Sequence, residues 1–160
     1  MITELISVGT EILLGNIVNT NSAYLSEKCA QLGLGLYYQT VVGDNPERMK
    51  QVIRTALDRS DVIILTGGLG PTEDDLTKEI TAEVMGFELV EDLHSRELME
   101  EYLKQYEKNN PQRRITKNNY KQAMVPKGCI VLDNHNGTAP GLIIEKNGKK
   151  YGKITLDKYV

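Results

Sequence analysis

The chain has 160 residues, enough for one compact domain with a sizeable core. Hydrophobic residues make up 40% and charged residues 26%, the balance of an ordinary soluble globular protein. The net charge of -3, from 19 basic and 22 acidic residues, gives no broad attraction for nucleic acid, although it leaves room for one local basic pocket.

The opening Met1-Ile2-Thr3-Glu4-Leu5 lacks the basic region and apolar core of a signal peptide. Ile2 to Val8 reads as a first strand ending at Gly9, followed by a loop rich in Gly, Asn and Thr up to Asn21. Thr20 or Asn21 is expected to cap a helix through Leu32, with Ala23, Leu25, Cys29 and Leu32 at roughly helical spacing. Gly33 stops it, and Leu34 to Val42 is a second strand. Gly43-Asp44-Asn45-Pro46 forms a turn, with Pro46 at the start of a helix running to about Arg59. The unbroken apolar run Asp61-Val62-Ile63-Ile64-Leu65 suits a strand covered on both faces.

A glycine-rich turn comes next, then a helix from about Asp75 to Met85 closed by Gly86. Phe87 to Val90 is extended, and Asp92 to about Lys108 is a strong helix with Leu93, Leu98, Tyr102, Leu103 and Tyr106 near one side. Gln112 to Pro126 is polar, with a short helix bringing Ala123 and Met124 inward. Cys129 to Leu132 is a strand, Asp133 to Gly141 a second Gly/Asn-rich loop, and Leu142 to Glu145 pairs across Asn147-Gly148 with the stretch that follows. Cys29 and Cys129 form no CxxC pair, which excludes a zinc or thioredoxin-type motif and suits two buried free thiols. No apolar run approaches the roughly 20 residues of a membrane span, so no membrane partner and a cytoplasmic location are expected. The β-α-β-α-β-loop-α order predicts an α/β fold, a three-layer α/β/α sandwich with a mostly parallel mixed sheet. Ligands of such sheets sit beyond the carboxyl ends of the strands. Three polar or glycine-rich loops share that edge: Gly9 to Asn21, Gly43 to Pro46 and Gly67 to Asp75.

The turn Thr66-Gly67-Gly68-Leu69-Gly70-Pro71-Thr72 carries the chemistry. Its glycines let backbone N–H groups approach a phosphate closely. Thr72 is a candidate helix cap, with Asp75 completing a capping-box variant. Glu73, Asp74 and Asp75 would repel a bare phosphate, and a divalent cation between carboxylate and phosphate resolves the conflict. The plainer alternatives are carboxylates that complement a helix dipole and glycines that permit tight strand–helix packing. There is no Gly-Lys-Ser/Thr, which excludes a Walker A loop, and Glu73 stands where a dinucleotide fingerprint needs Gly or Ala.

The stretch Leu65-Thr66-Gly67-Gly68-Leu69-Gly70-Pro71-Thr72-Glu73-Asp74-Asp75-Leu76-Thr77 resembles the signature of the molybdenum-cofactor-biosynthesis fold family, most of all its CinA (competence/damage-inducible) branch. Ser7-Val8-Gly9-Thr10-Glu11-Ile12-Leu13-Leu14-Gly15-Asn16-Ile17-Val18-Asn19-Thr20-Asn21, Val42-Gly43-Asp44-Asn45 and Asn136-Gly137-Thr138-Ala139-Pro140-Gly141 resemble the same branch. The resemblance implies a molybdopterin-binding-like sandwich, a small-molecule nucleotide ligand, and metal-dependent hydrolysis of the pyrophosphate of ADP-ribose with Mg²⁺, Mn²⁺ or Co²⁺. It matches the family's functional aspartates to Asp44 and Asp75. Asp75, with Asp74 or Asp44, would then hold the metal. A pterin-nucleotide binding or adenylyl-transfer domain and a non-catalytic nucleotide-binding domain are the alternatives. Relatives assemble, so a homo-oligomer is expected. Residues 1–160 are expected to be a single domain with an atypical carboxyl end, lacking the family's proline-rich loop and deamidase domain.

Further candidates flank the turn. Asp44 has a plainer role in an Asx-turn before Pro46. Glu11 can anchor its loop or a ligand group, and Asn21 can cap a helix or contact a phosphate or ribose. Gly137 and Thr138 lie in a loop longer than a tight turn needs. His94, His135 and the basic cluster Arg113, Arg114 and Lys117 are expected at the surface, and Lys78 is expected to pair with Asp74 or Asp75.

Overall fold

A computed structural model describes residues 1–109, 117–146 and 149–153. A six-stranded sheet runs in the order β2-β1-β3-β8-β7-β6. Its strands are β1 (Ile2–Val8), β2 (Gly35–Val42), β3 (Val62–Thr66), β6 (Ile130–Leu132), β7 (Gly141–Lys146) and β8 (Lys149–Lys153). The pairings β1–β2, β1–β3 and β3–β8 are parallel, whereas β7 pairs antiparallel with both β8 and β6. This is the expected mixed, mostly parallel sheet. The β7–β8 pairing follows the hairpin expectation, while its turn at Asn147-Gly148 lies outside the described residues.

Side chains alternate across a strand, and β1 divides the molecule accordingly. Leu5 meets Leu25 and Cys29 of α2 (Thr20–Gln31), together with Ile64 of β3. Ile6 and Val8 face the other way, into a larger cluster with Met49, Ile53 and Ala56 of α3 (Pro46–Arg59) and Ile80 and Met85 of α4 (Thr77–Met85). Helices thus cover both faces of the central strands, which gives three layers. Apart from this sheet, β4 (Leu89–Glu91) pairs antiparallel with β5 (Met124–Pro126). In the chain, α5 (Leu93–Asn109) and a 3₁₀ helix over Lys117–Ala123 lie between these two strands.

The capping chemistry explains where the helices begin. Asn45 accepts from the Arg48 N–H and Pro46 supplies the first turn of α3, as the turn sequence predicts. In α2 the cap is Asn19, whose side chain accepts from the Ser22 N–H. Thr20 and Asn21 are already helical, so the cap falls one or two residues earlier than expected. The buried positions of α2 are Ser22, Leu25 and Cys29, while Leu32 is 75% exposed. The helix therefore turns a narrower apolar stripe inward than the spacing of Ala23 and Leu32 suggests. Gly86 ends α4 in the left-handed conformation, as expected.

One buried charge braces the amino-proximal half. Glu4 is fully buried, and both of its oxygens accept hydrogen bonds: Oε1 from Thr40 and Arg59, Oε2 from Arg59 and Ser60. Burial alone would raise its carboxyl pKa, but the bonds from Arg59, Ser60 and Thr40 and the Arg59 charge outweigh it and hold the group below its ordinary value. The Arg59 guanidinium also lies 3.9 Å from the Tyr38 ring centroid.

Candidate functional site

The parallel registers set Val8 beside Val42 and Ser7 beside Thr66, so β1, β2 and β3 end at one edge of the sheet. The chain beyond β1 turns into a short helix, α1 (Thr10–Leu13), where the sequence predicts only loop. The Gly9 N–H donates to the Val42 carbonyl at 3.0 Å, which ties the ends of β1 and β2 together. Asp44 then reaches back to α1. Its Oδ2 accepts from the Thr10 N–H at 2.9 Å and from the Thr10 hydroxyl at 2.8 Å. Helix capping in this turn falls to Asn45, so Asp44 is a clasp on Thr10 and not the Asx-turn residue of the plainer reading.

Beyond β3, Gly67 adopts φ 90° and passes directly beneath β1: a Cβ there would stand 2.0 Å from the Val8 carbonyl oxygen. No other residue fits so close an approach. At Gly70 a Cβ would meet the Asp75 carboxylate at 2.4 Å. The tight packing offered as the plain alternative for these glycines is therefore real. It accompanies, and does not displace, an arrangement suited to anions. The Gly67 carbonyl accepts from the Thr77 hydroxyl at 2.9 Å, the Gly68 carbonyl from the Thr77 N–H at 3.2 Å, and the Leu69 carbonyl from Gln122 Nε2 at 2.9 Å. Because a trans peptide points its N–H opposite to its C=O, pinning these carbonyls fixes the direction of the next residues' N–H groups. Among the described residues no protein acceptor takes the N–H of Gly68, Leu69 or Gly70.

The helix after the turn starts at Thr77, two residues later than predicted, and Thr72 does not cap it. Glu73, Asp74 and Asp75 consequently lie in the loop before the helix and are not first-turn dipole partners. Asp75 is instead held as Asp44 is: its Oδ2 accepts from the Thr72 N–H at 3.1 Å and from the Thr72 hydroxyl. In both aspartates the threonine takes one carboxylate oxygen. The Oδ1 atoms make no hydrogen bond among the described residues. Asp74 is exposed. Among the described residues no three His, Cys, Asp or Glu side chains gather as a metal cluster, so protein carboxylates could fill only part of a metal's shell. That partial shell is the kind Mg²⁺ takes when waters and phosphate oxygens supply the rest.

The remaining candidates divide. Thr66 is buried, with its hydroxyl accepting from Asn21 Nδ2 at 3.2 Å, so this pair fastens α2 to β3 and the Thr66 side chain is withdrawn from the surface. The Glu11 carboxylate folds over Gly9, within 2.9 Å of where a Cβ would be, which favours its loop-anchoring role. Gly68, Leu69, Gly70 and Asp75 line a small, partly open recess, whose other walls include Lys78, Lys121, Gln122 and Pro140. Gly137 and Thr138 are not on it. They line a second recess with Ser95, Leu98 and Asp133, so the 136–141 loop reaches the glycine turn through Ala139 and Pro140. His94 is exposed and bonds Asp133 at 3.1 Å, whose carboxylate raises the imidazole pKa. His135 is exposed as well. Arg113 and Arg114 lie outside the described residues, as does the side chain of Lys117.

Two residues of the recess, Lys121 and Gln122, escape a reading of the linear sequence, and Lys78 takes other partners than expected. Lys121 donates to the Thr72 and Asp75 carbonyls, the former at 3.0 Å, and so ties down the acidic loop. Gln122 holds Leu69. Lys78 does not pair with Asp74 or Asp75. It is 8% exposed, donates to the Lys121 carbonyl and lies 3.6 Å from Glu79. Burial lowers its pKa, with the Lys121 charge acting in the same sense and Glu79 opposing. A polar segment 46 residues away from Asp75 carries no local signal that it will return to the turn.

Comparison with known proteins agrees with this fold. Residues 4–156 match the family model described as a probable molybdopterin binding domain. The chain is 55% identical over 149 residues to a competence-damage inducible protein of Caldicellulosiruptor bescii, covering 93% of this chain and 35% of that protein. It spans about a third of the length of the curated relatives it matches. The crystal structure of CinA, of unknown function, from Thermoplasma acidophilum is 34% identical, with a TM-score of 0.82 over 96% of this chain and 87% of that one. The molybdopterin biosynthesis enzyme MoaB of Thermus thermophilus shares the fold, with a TM-score of 0.60 at 18% identity over 96% of this chain and 80% of that one.

Proposed function

The chain belongs to the CinA branch of the molybdopterin-binding-domain family, and from that premise we propose a metal-dependent pyrophosphatase acting on ADP-ribose or a similar nucleotide. The observation that carries this reading is the matched pair of clasps. Thr10 and Thr72 each hold one oxygen of an aspartate and leave the other oxygen unspent, at the edge where the glycine turn offers its N–H groups.

In this reading the N–H groups of Gly68, Leu69 and Gly70 bind one phosphoryl group. Thr72 and Thr10 fix the orientation of Asp75 and Asp44, so that each presents its Oδ1. Asp75, with Asp74 or Asp44, would hold Mg²⁺ or a similar ion, the partial carboxylate shell fitting a cation that shares its sites with phosphate oxygens and water. When bound, such an ion withdraws charge from a phosphoryl oxygen and lowers the pKa of an attacking water. The aspartates orient that water by accepting its hydrogen bonds. The reading takes the chain to be cytoplasmic, and the exposed apolar Leu13, Leu14, Ile17 and Val18 suit its assembly as a homo-oligomer.

The test is hydrolysis of ADP-ribose with Mg²⁺, Mn²⁺ or Co²⁺. Wild type is expected to release AMP and ribose 5-phosphate, and Asp75→Asn to lose on the order of 10²–10⁴-fold in rate with its melting temperature kept. No turnover with any of the three metals ends the enzymatic reading. Nucleotide binding without turnover would put a non-catalytic nucleotide-binding domain in its place.

A further inference from the structure

Lys78 is a buried cation for which the chain supplies little countercharge. Its ammonium meets one carbonyl oxygen and, at 3.6 Å, the Glu79 carboxylate. A charge this far from water normally has close, well-aligned partners. Beside it Gln122 is 4% exposed. Its amide nitrogen is committed to the Leu69 carbonyl, which fixes the orientation of the amide and leaves Oε1 buried without a partner. Both residues line the same recess as Gly68, Leu69 and Gly70 of the glycine turn. The charged groups on this recess are Lys78 and Lys121 against Asp75 and Glu79. Lys121 gives two of its three N–H donors to the carbonyls of Thr72 and Asp75, whereas Lys78 gives one to the Lys121 carbonyl, which leaves Lys78 the cation with more donor capacity to spare.

We infer that this recess is a second anion subsite, in which Lys78 receives a phosphoryl group joined to the one held by the glycine turn. Gln122 Oε1 accepts from a protonated oxygen or a water on that group. The inference rests on the proposed phosphate cradle and extends it from one phosphate to a diphosphate. Selectivity for a diphosphate over a monophosphate then comes from Lys78, because only the longer anion reaches Lys78 while one phosphoryl group stays on the glycine turn.

The experiment is titration calorimetry of the whole chain with inorganic pyrophosphate and with orthophosphate, in chelator, for wild type, Lys78→Met and Lys78→Arg. Wild type is expected to bind pyrophosphate roughly ten- to a hundredfold more tightly, the worth of one charge-assisted hydrogen bond. Lys78→Met is expected to bring the two affinities together while orthophosphate binding persists, and Lys78→Arg to restore part of the preference. A purely structural lysine would weaken both anions alike. A preference that survives in Lys78→Met, or its absence from wild type, overturns the subsite and leaves the glycine cradle standing. A preference that depends on Lys78 in a chain that hydrolyses no ADP-ribose upholds the subsite and removes the proposed chemistry instead.

Discussion

Glu4 and the Asp44–Asp75 pair are carboxylates of one sheet region used in opposite ways. Glu4 is fully buried, and four donor groups saturate its two oxygens. Asp44 and Asp75 reach the surface on loops, and a single threonine holds each through one oxygen. A saturated carboxylate has nothing left to offer a ligand, and its removal strands its donors. A half-held carboxylate costs little to alter and keeps a lone-pair face for a cation or a water. On the proposed reading, the difference separates a charge that serves the fold from charges that serve a site.

Exchanging the roles is the way to break this comparison. The largest effect is the loss of turnover in Asp75→Asn at constant stability. Glu4→Gln should do the reverse, lowering stability by about 1–3 kcal/mol, because a donor of the Arg59–Ser60 set is left unpaired, while the rate per folded molecule stays at the wild-type value. Denaturant melts beside rate measurements read both quantities. The pH dependence carries the same signature. The Glu4 carboxyl lies below its unfolded value in the fold, so its contribution is full above the unfolded pKa near 4.5. That contribution drains away as pH falls through the lower folded value. Wild type should therefore lose stability more steeply than Glu4→Gln below about pH 4.5. Parallel stability curves for the two proteins would contradict the assignment. The smallest effect belongs to the clasp itself: Thr72→Val removes one of the two bonds that orient Asp75 and should cost roughly tenfold in turnover, the equivalent of one hydrogen bond. An unchanged rate would mean that Asp75 needs no orientation from Thr72.

Local chemistry was largely legible in the sequence. Alternation, apolar runs and glycine stops place β1, β2, β3, α3 and the end of α4, because each depends on neighbours in the chain. Errors arose where tertiary contact decides. Asn19 outcompetes Thr20 and Asn21 as the cap of α2 because its Nδ2 also donates to the Ser7 hydroxyl at the end of β1. Thr77 starts α4 because its N–H and hydroxyl are drawn onto Gly68 and Gly67. Leu93 looks like core on periodicity but is 67% exposed, and among the described residues the buried α5 positions are Ser95 and Met99. Within the proposed site, the glycines and aspartates could be singled out because they are neighbours in sequence or end adjacent strands. Lys121 and Gln122 could not be read, since only the folded chain returns them to Leu69, Thr72 and Asp75.

The central claim is that the unspent face of Asp75 takes a divalent cation beside the glycine turn. Mn²⁺ titration followed by electron paramagnetic resonance, with and without pyrophosphate, tests it most directly. Wild type should bind Mn²⁺, more tightly when pyrophosphate is present, and Asp75→Asn should lose both the binding and the enhancement. Equal Mn²⁺ binding by Asp75→Asn and wild type would contradict the account.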